Sequence, residues 1–275
     1  MDTPFPPYEP NGPNDEARGP RLREIPFRII IPNLITVLAI CAGLTGIRLA
    51  FENRYELAVG MVLLAAFLDG IDGRIARLLK ATSKFGGQMD SLADIVNFGV
   101  APALVLYVFI LDQARSFGWI AALIYAIAAG LRLARFNVMA ERETKAKWQS
   151  EYFVGVPAPA GAVLVMLPLY LFFLRLGLEP SRPVAFVATG FTVLVAFLLV
   201  SRLPVYSGKS IKIPGDRVLP VILAVVLYIL LLMTYPWYTL TASVAGYLIF
   251  LPFSVRAYSK RAKLEGEKVP PSDIG

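Results

Sequence analysis

Apolar residues run through this chain in long blocks instead of alternating with polar ones. From Pro26 onward eight blocks stand out, at about residues 29–48, 56–78, 87–111, 117–138, 155–176, 183–201, 217–234 and 237–255. Each has roughly the 20 residues a helix needs to cross about 30 Å of hydrocarbon. Inside lipid every backbone N–H and C=O must be satisfied within its own segment, so each block predicts a helix. The predicted fold is all-α, a polytopic transmembrane helix bundle of about eight spans. The last two blocks meet at Thr234–Trp237, where Pro236 fits a tight hairpin; one long kinked helix fits the same residues. Residues 1–27, rich in Pro, Gly and mixed charge, read as a mobile tail and not as a signal peptide. Residues 28–256 read as the membrane domain, and 257–275 as a basic tail.

Composition agrees with the pattern: 56% of the 275 residues are hydrophobic and only 17% charged, against about 25% charged in soluble domains. The net charge of +7 leaves nucleic acid, an anionic membrane face or phosphorylated substrates open until the cations are placed. Arg18, Arg21, Arg23 and Arg28 precede the first block, while Arg74, Arg77, Lys80 and Lys84 separate the second and third. Arg132, Arg135, Arg142, Lys145 and Lys147 lie after the fourth block, Arg202, Lys209, Lys212 and Arg217 after the sixth, and a further basic cluster follows the eighth. The alternate loops hold only Arg48, Arg54, Arg115, Arg175 and Arg182. The positive-inside tendency therefore places both termini and the three basic loops in the cytoplasm, and no nucleic-acid partner is needed. Topology and anionic lipid also account for most of these cations without any site. The absence of His excludes Ser-His-Asp and Cys-His catalysis and His-ligated zinc. A single Cys, Cys41, reads as packing and excludes an internal disulfide.

The second and third blocks are joined by LDGIDGRIARLLKATSKFGGQMDSLADIVNF, which puts Asp69, Asp72, Asp90 and Asp94 where hydrocarbon should begin. Spacings of three and four give each pair one helix face. Clustered anions at that depth need compensation, and an all-oxygen set without His or Cys selects Mg²⁺, Mn²⁺ or Ca²⁺. Two facing pairs suit two ions about 3.5 to 4 Å apart, the spacing that clamps a phosphoryl group. Gly73 and Gly86 remove side chains beside the acidic stripe, so a ligand can approach backbone; close helix packing is the other reading of each. Arg77 can reach an anionic phosphate or snorkel to the interface. Pro32, Asn33 and Thr36 open the first helix, where a nucleotide contact and ordinary helix-start chemistry are both consistent with them. Phe98, Tyr107 and Tyr125 read as packing or lipid-facing residues.

The order Asp69, two residues, Asp72-Gly73, two residues, Ala76-Arg77, eight residues, Gly86, three residues, Asp90, three residues, Asp94 resembles the complete signature of the CDP-alcohol phosphotransferase family. That resemblance implies that 28–256 is a catalytic domain, binding a CDP-linked lipid at the cytoplasmic end of the bundle and releasing CMP. It implies metal binding by Asp69, Asp72 and Asp90, with Asp94 as general base and a further metal contact. Gly73, Ala76, Arg77 and Gly86, with Asp69, would form the CDP pocket, which Asn33 and Thr36 would extend. Two Mg²⁺ or Mn²⁺ ions, a homodimer and a bacterial inner membrane follow from the same resemblance.

The acceptor alcohol is read from RLARFN and FVGVPAPA, which resemble the bacterial branch of that family that makes phosphatidylserine. CDP-diacylglycerol and L-serine are then the expected substrates. Serine carries a carboxylate, which an arginine can grip with two parallel hydrogen bonds. Arg132, Arg135, Asn137 and Lys209 are the candidates for that recognition, against a reading of the cations as topological anchors. Choline would favour an aromatic cage, whereas glycerol 3-phosphate or an inositol phosphate would use the same cations. An ion-coupled transporter is the alternative from a different class; it predicts a related second acidic segment, and none follows residue 140.

Overall fold

A computed structural model describes residues 27–81, 83–140, 152–175, 177, 179–206, 214 and 217–266. The N-terminal tail up to residue 26, Lys209 and the end of the C-terminal tail lie outside the described residues. Among the described residues ten α-helices, α1 (Phe27–Phe51), α2 (Tyr55–Leu78), α3 (Lys84–Asp94), α4 (Ala101–Phe109), α5 (Ser116–Ala140), α6 (Ala158–Val165), α7 (Leu167–Phe173), α8 (Arg182–Val200), α9 (Val218–Thr234) and α10 (Pro236–Gly266), follow the apolar blocks. One expected helix at 155–176 is two, because Pro168 has no N–H to continue α6 and the chain turns at Met166. Tyr235 separates α9 from α10, so the hairpin reading of this junction holds over the kinked helix.

Among the described residues five helices are long and apolar enough to span a bilayer: Ile30–Phe51, Phe85–Phe109, Ser116–Met139, Arg182–Val200 and Pro236–Ser259. The chain is thus an all-α polytopic membrane protein, with fewer qualifying helices than the eight expected blocks. The 24-residue α2 has the length but carries Asp69, Asp72, Arg74 and Arg77 near one end. α6 and α7 are broken at Met166, and the 17-residue α9 falls just short.

α1 and α2 form the most extensive helix pair, joined by a tight turn with Asn53 at φ 59°. Small residues bring their backbones together: Ala39, Ala50, Ala58 and Ala65 are fully buried. A methyl on Gly46 would sit 3.0 Å from the Ala58 carbonyl. Lipid supplies no hydrophobic drive between helices, so such close approach is what holds them.

α3 and α4 make one rod interrupted by a π-helical turn, Ile95–Val100. Pro102 lacks the N–H that would pair with the Phe98 carbonyl, and the fully buried Tyr125 on α5 donates its hydroxyl to that oxygen at 2.9 Å. Phe98 and Tyr125 are therefore packing residues. Cys41, in contrast to the packing expectation, is exposed on α1.

A two-stranded antiparallel ribbon, β1 (Tyr152–Val154) with β2 (Pro204–Tyr206), was not anticipated from the sequence. It closes the end of the bundle where α5 stops and α8 ends. Gly155 just after β1 has φ +78°, and a Cβ there would lie 2.7 Å from the Leu199 carbonyl and 2.8 Å from that of Ser201. No other residue fits this crossing without backbone movement.

Candidate active site

The site is built at one end of the bundle, where α1 begins, α2 ends and α3 begins. Asp69 and Asp72 face inward from the last turns of α2, while Asp90 and Asp94 come from α3. Ser83 caps α3, its Oγ accepting from the Gly86 N–H at 2.9 Å, which sets the register of the helix carrying the second pair. Asp72 is only 3% exposed. Carboxylate oxygens of Asp69, Asp72 and Asp90 lie within 4.8 Å of one another. Asp94 sits within hydrogen-bonding reach of Asp69. The structure thus brings all four carboxylates into one cluster.

Anions this close, in a partly dry environment, repel strongly unless a proton or cation stands between them. Thr36 Oγ1 donates to Asp72 Oδ2 at 2.5 Å, orienting that carboxylate from α1. Asp69 Oδ1 and Asp72 Oδ1 remain buried with no hydrogen-bond partner among the described residues. Converging hard oxygens with unpartnered lone pairs fit a divalent metal ion bound through oxygen.

Beside the carboxylates lies a cleft of about 280 Å³ between α1, α2 and α3. Asn33 and Thr36 form one wall; Asp72, Gly73, Ala76 and Arg77 form the second; Ser83, Gly86 and Asp90 form the third. Every residue expected to contact the nucleotide lines this cleft except Asp69, which belongs to the carboxylate cluster next to it. A Cβ on Gly73 would meet nothing within 4 Å, so this glycine leaves open space. A Cβ on Gly86 would stand 3.1 Å from Asn33 Oδ1 and from Ser83 Oγ, so that glycine is also needed for packing. Arg77 folds back on its own helix, with Nε donating to the Gly73 carbonyl at 3.1 Å.

The residues expected to recognise the acceptor take different positions. Arg132 is 8% exposed and interacts electrostatically through space with Asp94. Arg135, three residues on, turns to α8 and donates from Nη1 to the Val200 carbonyl at 2.7 Å, satisfying a helix end. Asn137 donates from Nδ2 to Ser91 Oγ at 3.0 Å, tying α5 to α3. The sequence reading missed Asn97, which is one turn beyond Asp94, fully buried, and without a partner for its amide among the described residues. It also missed Tyr247 on α10, whose buried hydroxyl is likewise unpartnered. Asn97 continues the Asp90 and Asp94 spacing by three residues, a signal that could have marked it, whereas Tyr247 carries none.

Fold and site define a polytopic helical membrane protein with an acidic, cation-compatible cleft at one end. Residues 29–201 match the family model described as CDP-alcohol phosphatidyltransferase, and 217–252 match one described as CDP-alcohol phosphatidyltransferase 2. The chain belongs to the CDP-alcohol phosphatidyltransferase family. It is 39% identical over 236 residues to the CDP-diacylglycerol--serine O-phosphatidyltransferase of Mycobacterium leprae, covering 86% of this chain and 78% of that protein. The protein of the same name from Helicobacter pylori is 34% identical over 221 residues, 80% of this chain and 89% of the relative. That from Bacillus subtilis is 37% identical over 138 residues, half of this chain and 74% of the relative.

Proposed function

We propose that this protein transfers the phosphatidyl group of CDP-diacylglycerol to L-serine, giving phosphatidylserine and CMP. The observation that carries the reading is the convergence of Asp69, Asp72, Asp90 and Asp94 beside a cleft whose walls hold the rest of the family signature. Similarity to serine-using relatives over most of the chain supports the choice of acceptor. Asn33, Thr36, Gly73, Ala76, Arg77 and Gly86 bind the CDP moiety, and the acyl chains remain in the inner leaflet.

Asp69, Asp72 and Asp90, with Asp94 as a further contact, would hold two Mg²⁺ or Mn²⁺ ions. When bound, such ions neutralise the pyrophosphate and the charge developing on the departing CMP. Asp94 takes the proton of the serine hydroxyl as that oxygen bonds to the lipid-linked phosphorus. The bond from this phosphorus to the CMP oxygen breaks in the same displacement, so no covalent enzyme intermediate is required. A serine hydroxyl is a poor acid and a carboxylate a weak base, so placement of the hydroxyl beside Asp94 supplies much of the rate. Arg132 holds the serine carboxylate, Arg135 and Asn137 support α5 around it, and Lys209 is a further candidate for the same group.

In the membrane, α1, α2, the α3–α4 rod, α5, the α6–α7 pair, α8, α9 and α10 make eight crossings of a bacterial inner membrane. Both termini and the acidic cleft then face the cytoplasm, as the distribution of Lys and Arg favours. A homodimer is the assembly the family resemblance supports.

The test is CMP release by the purified protein with CDP-diacylglycerol and one alcohol at a time: L-serine, glycerol 3-phosphate, an inositol phosphate or choline. Release is expected with L-serine and Mg²⁺ or Mn²⁺, and not after chelation. Release with a different alcohol but not with serine overturns the acceptor, and full turnover in chelator overturns the metal-assisted reading.

A further inference from the structure

Two buried polar groups on the α5–α10 side of the site remain unexplained by the nucleotide cleft. Arg132 is 8% exposed, yet its Nε has no hydrogen-bond partner among the described residues; its guanidinium lies over the Phe136 ring, 5.4 Å from the centroid. Tyr247 Oη, on α10, is buried and equally unpartnered. A guanidinium Nε and a hydroxyl left without hydrogen-bond partners in a membrane bundle are each costly, and one ligand that accepts from both offsets both costs.

Their placement puts them beside the reacting groups. The Asn137–Ser91 and Tyr125–Phe98 hydrogen bonds link α5 to the α3–α4 rod with residue numbers running in opposite senses, so the two are antiparallel. At 1.5 Å per residue, Asp94 lies about 4.5 Å further into the bundle than the Asn137–Ser91 link and Arg132 about 7.5 Å. The base and the guanidinium therefore occupy neighbouring layers. On α10, Ser254 Oγ donates to the Pro204 carbonyl at 2.9 Å, which anchors this helix to the ribbon at the same end of the bundle. Tyr247 is two turns further in, and Arg132 interacts electrostatically through space with both Tyr247 and Asp94.

We propose that Tyr247 and Arg132 together form the subsite for the acceptor's carboxylate, with Tyr247 a specificity-determining residue that α10 contributes to the active site. The inference rests on the serine reading above and deepens it. Arg132 offers a planar fork to the two carboxylate oxygens, and the Tyr247 hydroxyl donates a third hydrogen bond to the same group. With its carboxylate held there, an amino acid presents its hydroxyl toward the Asp94 layer. Among the described residues Arg132 is the one buried arginine on this side of the site, since Arg135 Nη1 is committed to the Val200 carbonyl.

Tyr247→Phe tests this, since it keeps the ring and removes only a hydroxyl that lacks a hydrogen-bond partner among the described residues. The expected result is an unfolding temperature no lower than wild type and a KM for L-serine raised about tenfold, as for loss of one hydrogen bond to a charged group. The KM for CDP-diacylglycerol should not change. The preference for L-serine over L-serinamide, which has no carboxylate, should narrow by the same factor. A folded variant with unchanged serine KM and unchanged preference overturns the inference while leaving the serine reading standing. A uniform fall in kcat with both acceptors, or a lower unfolding temperature, assigns Tyr247 to structure and also overturns it. Wild-type protein that turns over no serine overturns the acceptor reading, and this inference with it.

Discussion

Gly73→Ala separates a ligand-binding role for the cleft from a merely structural one. Gly73 lies within α2, exposed to the cleft, and a Cβ there would meet no protein atom within 4 Å. Replacing glycine by alanine inside a helix stabilises it by roughly 0.5–1 kcal/mol, because the unfolded backbone loses freedom. The folded protein should therefore be at least as stable as wild type. A nucleotide seated against the Gly73 backbone would instead meet the new methyl. Overpacking of this kind typically costs about 1–3 kcal/mol, which corresponds to about a 5- to 150-fold rise in the KM for CDP-diacylglycerol. Gly86→Ala is a poorer probe, since its methyl would stand 3.1 Å from Asn33 Oδ1 and Ser83 Oγ and disturb the protein itself. The assay is CMP release in detergent micelles with the CDP-diacylglycerol fraction varied, beside thermal unfolding of the same preparation. A stable Gly73→Ala protein with an unaltered KM for the CDP-lipid would refute the placement of the nucleotide along α2.

Two further substitutions probe the support around the carboxylates. Thr36→Val keeps the side-chain shape but removes the 2.5 Å hydrogen bond to Asp72; the Mg²⁺ or Mn²⁺ needed for half-maximal rate should rise about 10- to 100-fold, as for other groups that orient a metal ligand. An unchanged metal titration would remove Thr36 from that role. Arg135→Gln takes a charged donor from the Val200 carbonyl at the end of α8 and should lower stability by about 1.5–3 kcal/mol with the serine KM intact. Equilibrium unfolding and serine kinetics on one preparation check this, and a raised serine KM at unchanged stability would return Arg135 to the acceptor site.

Much of the site was legible because its information is local. A helix repeats every 3.6 residues, so Asp69 and Asp72, or Asp90 and Asp94, share a face whatever surrounds them. Arg132 and Arg135 show where local spacing stops being informative. Both are cations near the end of one helix, and only the position of α8 sends one to a carbonyl and leaves the other buried beside Asp94. Tyr247 shows the same limit across a longer span, since nothing near it in the chain is acidic or belongs to the signature.

By itself the amino-acid order determined that this protein is a bundle of membrane helices, because lipid obliges every apolar block to satisfy its own backbone. It also determined which carboxylates face one way, through helical periodicity. Only the tertiary structure decided that Thr36 meets Asp72, that Tyr125 caps the carbonyl freed by Pro102, and that the β1–β2 ribbon closes the site end. Those pairings depend on how closely helices approach at small residues such as Gly46 and Ala58, a balance of packing contacts between distant segments that no local repeat encodes.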